Sequence, residues 1–233
     1  MPLLCAVPLL LAILAVGGCT PALVVKPAAG GQDQGPKASR PSASFHYALG
    51  VLLALEERMD EAIREMEEAR RLDPSSAYLA KEVASLYMEK GETDKALAVA
   101  AQTLESHPDD TDIRLLLGRL YLNRKDYRSA AAEYGRVVKL DPNNLTARFY
   151  LGTSQAEMKE FAAAAETFQG LIKKDHDHFM ANYYLSRLLA ELKRYDEAEA
   201  QFRKTLLLRP QFEATYLDLA GLLEKQKKIP EAI

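Results

Sequence analysis

Small and apolar residues recur along this chain at spacings of three and four, in short segments separated by polar turns. Such spacing places them on one face of an α-helix. The segments come in pairs, and the pairs repeat every 34 residues: Pro74, Pro108 and Pro142 close three successive pairs, and Pro210 lies two periods further on. His176 takes the place of the missing proline. A fixed period of this length predicts stacked helix pairs rather than one globular core.

A frame that starts 31 residues before each proline aligns all the pairs. Its units are 43–76, 77–110, 111–144, 145–178, 179–212 and a partial 213–233. Position 8 of the frame is small throughout: Gly50, Ala84, Gly118, Gly152, Ser186 and Ala220. Position 20 is always alanine: Ala62, Ala96, Ala130, Ala164, Ala198 and Ala232. Small residues at both positions let the two helices of a unit approach closely, and position 24 fills the space beside them with Met66, Ala100, Tyr134, Phe168 and Phe202.

This pattern resembles the tetratricopeptide repeat, and the resemblance covers residues 43–233. It implies an all-α fold, a right-handed solenoid of antiparallel helix pairs whose first helices line a concave surface. The prolines cannot continue a helix and so end the second helix of each unit. Asp60, Asp94 and Asp196 stand where second helices start, and we expect N-caps or first-turn acids there.

In this family, positions 2, 5, 9 and 12 of the first helix face the concave groove. The resemblance therefore predicts an aromatic and aliphatic groove with basic groups, built from Tyr47, Tyr78, Lys81, Leu115, Arg119, Phe149, Tyr183, Arg187 and Leu217. Aromatic residues and arginine are enriched at binding hot spots. We expect an extended peptide or a partner helix there, with an acidic group at Arg119 or Arg187. The alternative is that the position-5 side chains only pack against neighbouring helices and the arginines are solvated.

One known use of these repeats is a clamp for the carboxylate end of chaperones, which needs lysine and asparagine four residues apart on one first helix. Here Ser85 follows Lys81 by four, and Arg119 lacks the lysine that the clamp pairs with it. Binding of a chaperone C-terminus is therefore unsupported.

The first residues indicate an export signal. Leu3 to Val16 form an apolar run that is short for a membrane span, and Val16-Gly17-Gly18-Cys19 resembles the lipobox of bacterial lipoproteins. The resemblance implies a signal peptide at 1–18, lipidation of Cys19 and an anchor in the outer membrane that faces the periplasm. Residues 19–42 are rich in Pro, Gly and Ala and read as a flexible tether. A plain secretory signal or a buried apolar helix is the alternative, and the missing basic residue before the run departs from the lipoprotein pattern.

Composition argues against several other classes of function. The net charge of −3 and pI near 5.9 give no global attraction for nucleic acid. Both cysteines, Cys5 and Cys19, precede the repeats, so the repeats hold no thiol ligand. His176 and His178 lack a fixed third ligand, and no phosphate-loop, nucleophile-elbow or zinc-protease motif occurs. We therefore predict no cofactor, no metal, no small-molecule substrate and no enzymatic activity.

These features favour a lipid-anchored scaffold that binds other proteins through its groove. A narrower hypothesis is an assembly lipoprotein, similar in layout to type IV pilus pilotins, for a pilus, secretion or polysaccharide-export system. A hypothesis of another class is the non-catalytic front of a longer enzyme. The sequence stops at Ile233, position 21 of its unit, where a second helix should begin. We expect either that it continues in a longer protein or that the last helix pair is unfinished and frayed.

Overall fold

The computed structural model describes residues 41–226, which form eleven α-helices and no β-strand. The first helices of the units are α1 (Ala43–Leu55), α3 (Ala77–Glu89), α5 (Thr111–Asn123), α7 (Leu145–Glu157), α9 (Phe179–Glu191) and α11 (Glu213–Lys225). The second helices are α2 (Met59–Leu72), α4 (Thr93–Ser106), α6 (Tyr127–Leu140), α8 (Phe161–Ile172) and α10 (Tyr195–Leu208). The predicted signal peptide, the lipidation site Cys19, nearly all of the tether and the end of the last unit lie outside the described residues.

The predicted class, an all-α solenoid of antiparallel helix pairs, is confirmed for this region. Every first helix begins at position 1 of the frame, and each helix packs against the next one along the chain. First helices also contact the first helix of the next unit, as α3 does with α5 and α7 with α9. The buried core therefore runs along the stack as three successive clusters, in α1–α5, α6–α7 and α8–α11, and the first helices share one side of it.

Side chains in the connecting turns cap the first helices. Ser42, Ser76, Asp110, Asn144 and His178 each accept a hydrogen bond from the backbone N–H three residues later. These caps satisfy an N–H that the helix itself leaves unpaired.

The acids predicted at the starts of second helices lie inside the first turn. Asp60, Asp94 and Asp196 all fall there, while the N-cap positions of α2, α4 and α10 are Arg58, Glu92 and Arg194, without a side-chain cap bond. The first-turn alternative is confirmed and the N-cap alternative is wrong. In the first turn a carboxylate interacts favourably with the positive end of the helix dipole.

Position 15 turns the chain from the first helix into the second through a left-handed backbone conformation. Its residues have φ between 59° and 82°: Glu57, Gly91, Lys125, Lys159 and Lys193. In each unit the next N–H bonds back to the carbonyl five residues earlier, for example Asp126 N to Tyr121 O at 2.9 Å. This is the Schellman arrangement, in which glycine is the favoured residue because it has no Cβ.

Glycine at position 15 should therefore stabilise the fold. We expect Lys125→Gly to raise the free energy of unfolding by about 0.5–1 kcal/mol in urea denaturation, because lysine strains this conformation. Gly91→Ala should lower it by a similar amount. Lys139→Gly, within helix α6, is the matched control and should destabilise. A loss of stability in both lysine variants would contradict the argument.

The small residues at positions 8 and 20 allow the close packing that the sequence predicts. All five described alanines at position 20, Ala62 to Ala198, are completely buried. A Cβ added to Gly118 would stand 2.5 Å from Cζ of Tyr134, and one added to Gly152 would stand 2.9 Å from Cε2 of Phe168. The position-24 side chain thus occupies the space that position 8 leaves empty.

The turn of the fourth unit replaces proline with hydrogen bonds. Helix α8 has 12 residues instead of 14, and His178 Nδ1 accepts from Ala181 N at 3.1 Å. The fully buried Asn182 donates to the carbonyl oxygens of His176 and His178 at 3.1 and 3.0 Å. Gln201 in turn donates to Asn182 Oδ1 at 2.7 Å. The polar network therefore fixes the chain direction that proline fixes elsewhere.

Candidate functional site: the inner face of the first helices

Inner-face side chains of adjacent units meet in pairs. The hydroxyls of Tyr47 and Tyr78 lie 2.7 Å apart, and Lys81 Nζ donates to Asp112 Oδ2 at 2.8 Å. Both pairs join position 5 of one unit to position 2 of the next, 31 residues later. The hydrogen bond with Tyr78, together with partial burial, raises the pKa of Tyr47 to about 12. Positions 2 and 5 therefore share one face of the stack, as the repeat frame implies.

Arg187 and Tyr183 both interact with Asp218 within the fold. Tyr183 is only 8% exposed, and its hydroxyl donates to Asp218 Oδ2 at 2.8 Å. Burial and this hydrogen bond raise the pKa of Tyr183 to about 12. Arg187 Nε lies 3.6 Å from the same carboxylate, and its guanidinium stands 5.8 Å from the Tyr183 ring centroid. For Tyr183 the packing alternative therefore describes the structure better than a groove contact.

The remaining predicted residues divide between packing and exposure. Phe149 is half-buried, stacks on His178 at a centroid distance of 5.5 Å and meets Phe168 edge-on at 5.8 Å. Leu217 is 74% exposed and lines a shallow depression of about 190 Å³ that Arg187 also lines. Phe149 serves packing, and Leu217 presents an apolar side chain at the last described helix.

Arg119 differs from the other inner-face cations because it forms no ion pair or hydrogen bond within residues 41–226. Its side chain lines an open pocket of about 320 Å³ that spans three successive units. The other lining residues are Lys81, Ser85, Asp112, Leu115, Leu116, Tyr134, Thr146 and Tyr150. Three predicted groove residues, Lys81, Leu115 and Arg119, are thus brought together around an apolar floor.

Tyr134 belongs to this pocket although the sequence assigned it to the core. It is fully buried, its ring stacks on Tyr150 at 5.4 Å, and its hydroxyl has no hydrogen-bond partner among the described residues. Burial raises the pKa of Tyr134 well above the ordinary tyrosine value, so the hydroxyl stays protonated. Among the five residues at position 24, only Tyr134 carries a polar tip, and that was the available sequence signal.

A larger depression, about 610 Å³, lies between the second helices α2 and α4. Its cations have partners: Arg71 lies 2.6 Å from Glu68, and Arg70 lies 3.5 Å from Glu67 and donates to Gln102. It holds none of the predicted groove residues. We take the inner pocket as the candidate site because it combines an unpaired cation with apolar surface.

The described region contains neither a cluster of metal ligands nor a helix suited to a membrane. No group of histidine, cysteine, aspartate and glutamate side chains between residues 41 and 226 is arranged to hold a metal ion. His178 Nδ1 is already occupied as a helix cap. No helix in this part of the chain has the length and apolar character to cross a membrane.

Two family models match parts of the described region. The family model described as "Tetratricopeptide repeat" matches residues 53–120 and 87–144. A second model, described as "Anaphase-promoting complex, cyclosome, subunit 3", matches residues 123–205. No curated protein sequence gives a significant match.

Solved structures support the fold. A crystal structure of MamA is 18% identical, with 72% of this chain and 92% of that chain covered and a TM-score of 0.66. Another MamA structure is 23% identical, with 64% and 88% covered and a TM-score of 0.62. YrrB, described as a TPR protein with an unusual peptide-binding site, is 20% identical, with 76% of this chain and 91% of that chain covered and a TM-score of 0.66. At these identities the likeness establishes the fold alone.

Proposed function

Because this chain carries tetratricopeptide repeats stacked as a solenoid, we propose that it is a non-enzymatic scaffold that holds a partner protein on its inner face. The bound element is an extended peptide or a helix. The observation that carries the proposal is the pocket at Arg119, where an unpaired guanidinium stands beside the apolar side chains of Leu115 and Leu116. Arginine beside desolvated apolar surface is typical of binding hot spots.

The charges elsewhere on the inner face support this choice of site. Lys81 is neutralised by Asp112, and Arg187 lies beside Asp218, so neither needs a ligand to balance its charge. Arg119 gains an ion pair only when a ligand supplies an anion. The expected contribution of Arg119 to affinity is therefore larger than that of Arg187.

The proposal is tested by charge reversal on the two faces of the solenoid. Proteins that bind the chain are first identified by crosslinking in the producing cells, and their affinities for purified protein are then measured by calorimetry. We expect Arg119→Glu to weaken binding about tenfold or more, because it removes an attraction and adds a repulsion. Arg136→Glu on α6 is the matched control and should bind normally. Arg136 is exposed, and its guanidinium lies 3.5 Å from the carboxylate of Asp109. Equal affinities for both variants would reject the inner face.

The cellular location is a second element of the proposal. We place the scaffold at the bacterial outer membrane, facing the periplasm, through lipidation of Cys19; the lipobox-like sequence before this residue supports the assignment. Cys19→Ala should release the protein from membranes in cell fractionation, whereas Cys5→Ala should not. Retention of Cys19→Ala in membranes with an uncleaved N-terminus would reject the lipid anchor.

A narrower form of the proposal is an assembly lipoprotein, similar to a pilotin, for a pilus, secretion or polysaccharide-export system. It is supported only by the order of signal, tether and repeats along the sequence. It predicts that the partner lost in Arg119→Glu is a component of such a machine.

A further inference from the structure

We infer that the inner pocket is a subsite for one side-chain carboxylate of the bound segment, held by the Arg119 guanidinium and the Tyr134 hydroxyl together. The inference rests on the proposed function and specifies the ligand chemistry. It also assigns a binding role to a residue of a second helix, which lies behind the inner face.

The Tyr134 ring reaches the inner pocket because Gly118 has no side chain. A Cβ at Gly118 would lie within 2.8 Å of three atoms of the Tyr134 ring, so the ring occupies the space beside this glycine. On its other side the ring stacks against Tyr150 with an interplanar angle of 23°. Packing on both sides fixes the ring, and thereby fixes the hydroxyl among the residues that line the pocket.

The Tyr134 hydroxyl is an unsatisfied polar group. The oxygen is buried, and it has no hydrogen-bond partner within residues 41–226. Buried hydroxyls without a partner are unfavourable and uncommon in folded proteins. Arg119 lines the same pocket, is exposed and is held by no hydrogen bond within residues 41–226, so its side chain is free to turn towards a ligand that reaches the hydroxyl. A ligand group that accepts hydrogen bonds from both the Tyr134 hydroxyl and the Arg119 guanidinium would satisfy both donors at once.

The charge in the pocket favours one carboxylate. Lys81 and Arg119 are cationic, and Asp112 cancels Lys81, which leaves a single positive charge. Burial raises the pKa of Tyr134, so its hydroxyl keeps its proton at neutral pH and can donate a hydrogen bond to the ligand. A neutral amide would leave Arg119 uncompensated, and a phosphate dianion would exceed the available charge. A monoanionic acceptor therefore fits both donors.

The geometry favours a side chain over a chain end. The lining residues belong to units two, three and four, and the pocket is open to the rest of the inner face. A segment can therefore continue past the subsite in both directions. Leu115 and Leu116 offer apolar contacts to the residues that flank the acid. The predicted ligand has glutamate or aspartate between apolar residues.

The test uses an array of acetylated and amidated heptapeptides with glutamate or glutamine at the centre and varied apolar neighbours. Binding to the full chain is measured by fluorescence anisotropy. We expect the glutamate peptides that bind best to bind about tenfold more tightly than their glutamine partners. Tyr134→Phe should remove much of this preference and leave the glutamine peptides unchanged. Arg119→Gln should abolish it, and Arg187→Gln, the matched control, should preserve it.

Tyr134→Phe also separates binding from folding, because it deletes only an unsatisfied hydroxyl. The melting temperature should stay the same or rise while affinity for the glutamate peptides falls. Peptides that bind equally with glutamate or glutamine would overturn the subsite and leave the scaffold standing. A second set of peptides carries a free C-terminal carboxylate in place of the central glutamate. If the protein binds that set more tightly, the assignment to a side-chain carboxylate is overturned. Binding of no peptide in the array would overturn the subsite and contradict the extended-peptide form of the proposed function.

Discussion

Replacing Phe168 by alanine is expected to lower the free energy of unfolding by about 3–5 kcal/mol, the usual cost of removing a buried aromatic ring. Phe168 is fully buried on α8, stacks on Tyr184 at 5.5 Å and meets Phe149 edge-on at 5.8 Å. Its ring also occupies the space beside Gly152. Loss of the ring leaves a cavity that three well-packed neighbours cannot readily close.

The measurement is equilibrium unfolding in urea, followed by circular dichroism. Phe45→Ala is the matched control: Phe45 lies on α1 with 53% of its surface exposed, so its loss should cost less than about 1 kcal/mol. Hydrogen exchange should locate the loss of protection in Phe168→Ala around α7 to α9, since unit stabilities in a solenoid depend on nearest neighbours. Similar costs for the two substitutions would show that the aromatic contacts contribute little.

The second large effect is expected for Gly118→Ala, which should destabilise the protein by about 1–3 kcal/mol through overpacking. Alanine is intrinsically better than glycine within a helix, by about 1 kcal/mol. The added Cβ would nonetheless come within 2.5 Å of the Tyr134 ring, which cannot move aside because Tyr150 stacks on its other side. Steric overlap therefore outweighs the gain in helix propensity.

Gly221→Ala is the matched control for Gly118→Ala, since it is the same substitution within another first helix. Within residues 41–226, a Cβ at Gly221 meets no atom closer than 4 Å, so this variant should gain about 0.5–1 kcal/mol. Combining Gly118→Ala with Tyr134→Leu should recover part of the loss, because the smaller side chain makes room. Stabilisation by Gly118→Ala alone would contradict the packing seen here.

The helix positions were predictable because small residues recur at the same helix–helix contact in every unit. Small residues at Gly118 and Ala130, for example, identify the contact between α5 and α6 without any structure. The left-handed turn residue was not predictable in the same way. Only Gly91 shows the expected preference, while Lys125 and Lys159 adopt φ near 60° because the hydrogen bonds around them require it.

The sequence predicted that the candidate site lies on the inner face of the first helices, but not which side chains interact there. The frame places both Arg119 and Arg187 at position 9, and nothing local distinguishes them. The distinction arises from Asp218, 31 residues after Arg187 and on the next first helix. Tyr134 escaped the prediction because position 24 normally fills the core. Its hydroxyl lies among the pocket residues because the ring packs beside Gly118, and only the three-dimensional packing reveals this contact.

The pairing of residues 31 positions apart also bears on how quickly the protein folds. Among the side-chain hydrogen bonds seen in the described region, the bond between Tyr183 and Asp218 spans the largest separation in sequence, 35 residues. Proteins dominated by such near contacts have low contact order and fold in microseconds to milliseconds. Within residues 41–226, the first stable contacts form between segments that are near in sequence. A helix pair can therefore acquire its native neighbours as soon as the following pair has formed.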